Sequence, residues 1–101
     1  MAQGTHRPAA ANDAVVTFAA IGGVIQKLDS VDWSYSAAPA AGNLKVESPS
    51  GTIIFQLAVP ASGPFNKTWR NGLAGASGEA IIVTLASGAG AVVGSLNAVT
   101  V

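Results

Sequence analysis

The chain has 101 residues, five cationic and five anionic side chains, a formal net charge of zero and no cysteine. This length fits one domain, and without cysteine there is no disulfide framework, thiolate nucleophile or Cys-based metal site. Charged residues make up 10% of the chain, against about 25% in an ordinary soluble domain, and the cations are scattered at Arg7, Lys27, Lys45, Lys67 and Arg70, which argues against a nucleic-acid footprint.

Residues 1–12 are Ala, Gly, Pro and polar, with no periodicity, and are expected to form a flexible N-terminal arm preceding a single domain over 13–101. From Asp13 the composition turns β-rich. Ala14 to Phe18 predicts a strand that stops at Gly22-Gly23. Between Val24 and Ala37, Val31, Trp33, Tyr35 and Ala37 alternate strictly with Asp32, Ser34 and Ser36, whereas upstream the apolar parity reverses. A bulge or turn near Asp29-Ser30 would correct that register.

Leu44 and Val46 alternate with Lys45 and Glu47, and Ser48-Pro49-Ser50-Gly51 then separates them from Thr52 to Val59, a hairpin signal. Ile53, Phe55, Leu57 and Val59 are expected on one side of the returning strand. Phe65 to Leu73 carries a weaker pattern and reads as a loop. Glu79 to Ala86 predicts a strand with Ile81, Val83 and Leu85 on one face, and Ala91 to Val101 closes the chain as another β-rich run. No window of about 12 residues has helical periodicity free of Gly or Pro. Short strands with regularly spaced turns predict an all-β, antiparallel β-sandwich, and a long bent strand followed by hairpins fits a jelly roll.

Groups able to do chemistry are sparse. The one histidine, His6, falls in the expected arm, so a catalytic triad has no base to build on. Asp29 and Asp32 lie three apart, on opposite faces of a strand unless a bulge intervenes. Glu79, after Gly78, is expected to take turn amides or pair with Arg70. The run from Gly88 to Gly94 spells G-x-G-x-x-x-G with no helix after it, unlike a phosphate loop. Asn66-Lys67-Thr68 matches a glycosylation pattern, which the absence of an apolar leader at the N-terminus makes a chance match. The apolar runs are too short for a transmembrane helix. No catalytic residue, cofactor or metal site is therefore expected, nor a nucleic-acid or membrane partner. Trp33 and Tyr35 share the apolar face and are expected in the core, while Phe65 and Trp69, in the expected loop, form a more open aromatic pair.

Trp33-Ser34-Tyr35-Ser36-Ala37, then Pro39, Gly42 and Leu44, Gly63-Pro64, the strand Glu79 to Ala86, a Gly-Ala-Gly turn and Gly94-Ser95-Leu96-Asn97 together resemble small virion-associated structural proteins of tailed bacteriophages. The likeness runs roughly over Val15 to Val99. It implies a capsid cement or decoration subunit, a jelly-roll-like homotrimer made in the host cytoplasm that binds the outer surface of the assembled head and clamps neighbouring major capsid proteins. Few large apolar side chains, since twenty of the fifty hydrophobic residues are alanine, and no net charge to keep copies apart fit a self-associating subunit. Expected contact residues are His6, Arg7 and Pro8 in the arm and Phe65, Asn66, Trp69 and Arg70 in the loop. The alternative is a receptor- or glycan-binding module of a tail or head fibre, for which Phe65, Asn66, Trp69, Arg70 and Asn71 are the local candidates.

Overall fold

The computed structural model describes residues 2–101. The fold is all-β, an antiparallel β-sandwich. Its strands are β1 (Gln3–His6), β2 (Ala14–Phe18), β3 (Lys27–Tyr35), β4 (Gly42–Glu47), β5 (Ile53–Val59), β6 (Phe65–Ala74), β7 (Ile81–Leu85) and β8 (Gly94–Thr100). One sheet has the order β1-β8-β3-β6 and the other β2-β7-β4-β5. The chain thus folds as nested antiparallel pairs, β1 with β8, β2 with β7, β3 with β6 and β4 with β5, while β3–β8 and β4–β7 pairing completes each sheet.

Alternation decides which side chains the two layers share. Val31, Trp33 and Tyr35 from β3 and Leu96 and Ala98 from β8 meet Val16 and Phe18 from β2, Leu44 and Val46 from β4, and Ile81, Val83 and Leu85 from β7 in one core. The parity reversal foreseen near Asp29-Ser30 is a register shift between Leu28 and Ser30, present in the pairing with both neighbouring strands. It lets Leu28 and Val31, three positions apart, both point inward and be fully buried. A second shift between Val46 and Glu47 pairs Glu47 with Ile53 and Val46 with Phe55. Ile53 is therefore half exposed rather than in line with Phe55, Leu57 and Val59, and Ile54 packs against the core in its place.

Two further expectations are corrected. The segment 1–12 was expected as a flexible arm, yet Gln3–His6 pairs with β8 from Gln3 opposite Val99 to His6 opposite Leu96; Met1 lies outside the described residues. Gly4 is the physical reason: a Cβ there would collide with Val16 Cγ1, so this strand lies against β2 because its inward position carries no side chain, and a strand built on glycine leaves no apolar periodicity. The segment from Phe65 to Leu73, expected as a loop, lies within the ten-residue edge strand β6. Its pairing with β3 jumps from Thr68 opposite Ser30 to Leu73 opposite Leu28, so residues 69–72 bow out of the ladder and the alternation loses phase. Gly72 permits this bow: its φ is 80°, and a Cβ would sit 2.8 Å from Lys27 Cβ.

Candidate functional site

The predicted contact residues separate into three places. His6, Leu96, Trp33 and Phe65 occupy one row across the first sheet, His6 on edge strand β1 and Phe65 on edge strand β6. Three strand spacings, about 14 Å, therefore separate the arm residues His6, Arg7 and Pro8 from Phe65 and Asn66. His6 is anchored across the layers, its Nδ1 accepting from the Val15 amide at 2.9 Å. Trp69 and Arg70 lie farther along β6, in the segment that bows out. Trp69 is half-buried, edge-on to Phe55, with Lys67 Nζ 5.9 Å from its ring centroid.

Phe65 and Asn66 border a depression on the outer face of the first sheet. Asp32 and Ser34 from β3, Ser95 and Asn97 from β8, Asn66 and Pro64 surround a volume of about 320 Å³, and Trp33 and Phe65, whose rings belong to the inner face, lie at its base. Asp32 stands opposite both Asn97 and Asn66, and Thr5 of β1 stands opposite Asn97. The result is a polar row, Thr5-Asn97-Asp32-Asn66, spanning all four strands. Thr5 Oγ1 donates to Asn97 Oδ1 at 2.7 Å. Asn66 Nδ2 donates to Asp32 Oδ1, and Thr68 Oγ1 donates to Asn66 Oδ1 at 3.1 Å. Beneath the row, Trp33 is 5% exposed and stacks in a tilted arrangement on Phe65, ring centroids 5.7 Å apart. Its indole Nε1 is buried with no acceptor among the described residues.

A different surface occupies the end of the sandwich where β2 leads into β3 and β8 ends. Ile21, Val24 and Ile25 from the β2–β3 connection and Val101 expose 42–67% of their areas and line a depression of about 310 Å³ together with Ala2, Gln26, Lys27 and Thr100. The connection is held in place from behind, because Val24 O and Gln26 O accept from the amides of Gly78 and Gly75. Sequence periodicity gave no hint of this surface, since Val24 and Ile25 read as the start of the next strand.

Asp13 and Glu47 are engaged in a loop and a turn. Asp13 Oδ1 accepts from the Ser87 amide at 2.7 Å and Glu47 Oε2 from the Gly51 amide at 2.7 Å. Glu47 also pairs with Lys45 at 3.4 Å; the expected Glu79–Arg70 pair is absent among the described residues. There, too, no group of three His, Cys, Asp or Glu is placed to hold a metal ion. Burial raises the Tyr35 phenol above its ordinary value of 10.0, the nearby Asp13 charge adding to the shift and a backbone hydrogen bond from Asn43 opposing it.

Fold and surfaces together define a two-sheet β-sandwich with an apolar end and a polar depression on one outer face. No protein-family model matches the chain, and no curated protein matches it. Among solved structures it is similar to the crystal structure of PirA, with a TM-score of 0.54 over 93% of this chain and 91% of that one, at 12% identity. Likeness at that identity concerns the fold.

Proposed function

We propose that the chain is a structural subunit of a tailed-phage particle: a jelly-roll decoration protein that self-associates as a homotrimer, binds the outside of the assembled head and clamps neighbouring major capsid proteins. The nested strand pairing supports the jelly-roll part, since eight strands in two four-stranded antiparallel sheets wound from one long folded hairpin make that architecture. The observation that carries the reading is the apolar end. Ile21, Val24, Ile25 and Val101 are aliphatic and exposed on a chain with only ten charged residues, and contiguous exposed apolar surface marks an interaction site. A rigid sandwich presenting such an end stabilises a preformed lattice by mass action when it binds the lattice and not the free subunits. The engagement of Asp13 and Glu47 by backbone amides in turns favours binding over chemistry.

The test is to purify virions of the phage that encodes the chain, count its copies by quantitative mass spectrometry and locate it by electron microscopy. Hundreds of copies on the head surface support the reading. Low copy number confined to the tail, or absence from the particle, overturns it. Ile25→Asp should abolish head binding while leaving the melting temperature of the isolated protein unchanged.

A further inference from the structure

We infer that the outer-face depression between β3, β6 and β8 is a binding site for a neutral sugar, a pyranose held by Asp32, Asn66 and Asn97 against Pro64. The inference does not depend on where in a particle the chain resides.

On β3 and β8 the site's polar groups are side chains alone. β3 and β8 are inner strands of their sheet, with neighbours on both sides, so their backbone groups are spent in the ladders and cannot pair with an extended peptide. What the floor offers is set by the bonds already made. Because Asn66 occupies one oxygen of Asp32, the second carboxylate oxygen remains an acceptor. Because Thr5 occupies the Asn97 carbonyl, the Asn97 amide NH₂ remains a double donor. Asp32 and Asn97 are direct cross-strand partners, with side chains about 5 Å apart at Cβ. An acceptor and a donor at that spacing match two adjacent hydroxyl groups, each of which can donate and accept. The hydroxyls of Ser34 and Ser95, themselves cross-strand partners, extend the same surface.

Charge narrows the ligand class. Asp32 is the one ionisable residue of the depression, so it has no cation for a phosphate or carboxylate and a single carboxylate where a metal ion would need a group of such ligands. Pro64, exposed at the rim of the depression, supplies an apolar wall for the C–H face of a sugar ring, while the Phe65 ring lies on the inner side of the sheet against Trp33. The volume of about 320 Å³ lies at the small end of ligand pockets, about 300–1,000 Å³, the scale of one sugar unit rather than a chain.

The experiment is an amide NMR titration of the full chain with four probes: methyl β-D-glucopyranoside, methyl β-D-galactopyranoside, methyl α-D-mannopyranoside and N-acetyl-D-glucosamine, taken into the millimolar range where a few hydrogen bonds place a single sugar. At least one should give saturable shifts centred on Asp32, Asn66 and Asn97. Asp32→Asn and Asn97→Ala should each weaken that binding about tenfold or more, as expected for losing a hydrogen bond to a charged or desolvated partner. Ser95→Leu, which fills the depression and leaves the Asp32–Asn66 bond intact, should abolish it, and remains decisive if an Asp32 variant folds poorly. No saturable shift from any of the four sugars, shifts centred elsewhere, or undiminished binding by the folded variants would overturn the inference.

Discussion

The rings of Phe55 and Trp69 meet edge to face, centroids 5.1 Å apart and planes at 88°. Phe55 belongs to β5 and Trp69 to β6, the edge strands of opposite sheets, so this contact closes one open side of the sandwich. Both rings are half-buried and pack on the core. Trp69→Ala should therefore destabilise the fold by about 2 kcal/mol, less than the roughly 3–5 kcal/mol of emptying a fully enclosed aromatic site. Trp33→Ala should reach that larger cost. Thermal or urea melts of the two variants test the ranking; an unchanged Trp69→Ala melt would make its ring a surface group with no closing role.

Gly4 and Val16 approach so closely that β1 tolerates no side chain at position 4. Gly4→Val should lift β1 from the sheet while the remaining strands stay paired. Hydrogen exchange should then show lost protection at β1 amides and at the β8 amides that face them, with core amides in β3 and β7 still slow. Deleting residues 1–11 should act likewise and lower stability, because it uncovers the edge of β8. Unchanged exchange at β8 in either variant would mean that β1 contributes no pairing in solution.

How far the fold was legible depended on where each strand sits. Val31-Trp33-Tyr35 and Ile81-Val83-Leu85 alternate cleanly because β3 and β7 each have neighbours on both sides and one fully buried face. The edge strands were harder. β6 mixes Lys67 and Trp69 on a half-covered inner face and bows out after Thr68, while β1 hides its inward position in a glycine. The polar depression was illegible for a different reason: Thr5 and Asn97 lie 92 positions apart, and only the pairing register brings them into one row with Asp32 and Asn66. Each residue alone looks like an ordinary solvated strand position.

Tyr35 is the chain's one tyrosine, and its hydroxyl donates to Ala86 O at 2.6 Å. Burial raises its phenol above 10.0, with the Asp13 charge adding to the shift, so the native state holds this proton more tightly than the unfolded chain does. Its contribution to stability is fully present below the unfolded value and is lost as pH rises through the higher native one. Tyr35→Phe should cost about 1 kcal/mol at neutral pH, from the bond lost at Ala86 O, and should flatten the fall in stability above pH 10.0. Absorbance titration of the phenolate beside melts of both proteins decides this. Ionisation at or below the ordinary tyrosine value would contradict it.

Ser48 joins the β4–β5 turn to the β6–β7 connection. It is 2% exposed, its Oγ donates to Ala80 O at 2.7 Å, and the same oxygen accepts from the Ala76 amide at 2.9 Å. One hydroxyl thus satisfies a backbone donor and a backbone acceptor, while the Ser48 amide donates to Thr52 O and closes the hairpin. Gly75 leaves room for this arrangement, since a Cβ there would lie 2.7 Å from Ser48 Oγ. Ser48→Ala deletes the oxygen and strands both partners, so the expected loss is about 1–3 kcal/mol, the range for unsatisfied buried polar groups. The effect should also be local: exchange at the Ala76 amide should accelerate more than exchange in β8. Because the β6–β7 connection holds the Ile21–Ile25 segment through Gly75 and Gly78, the same variant should loosen the apolar end and weaken any association that uses it. A melt within about 0.5 kcal/mol of the parent, the scatter of ordinary surface changes, would show that the hydroxyl carries no such load.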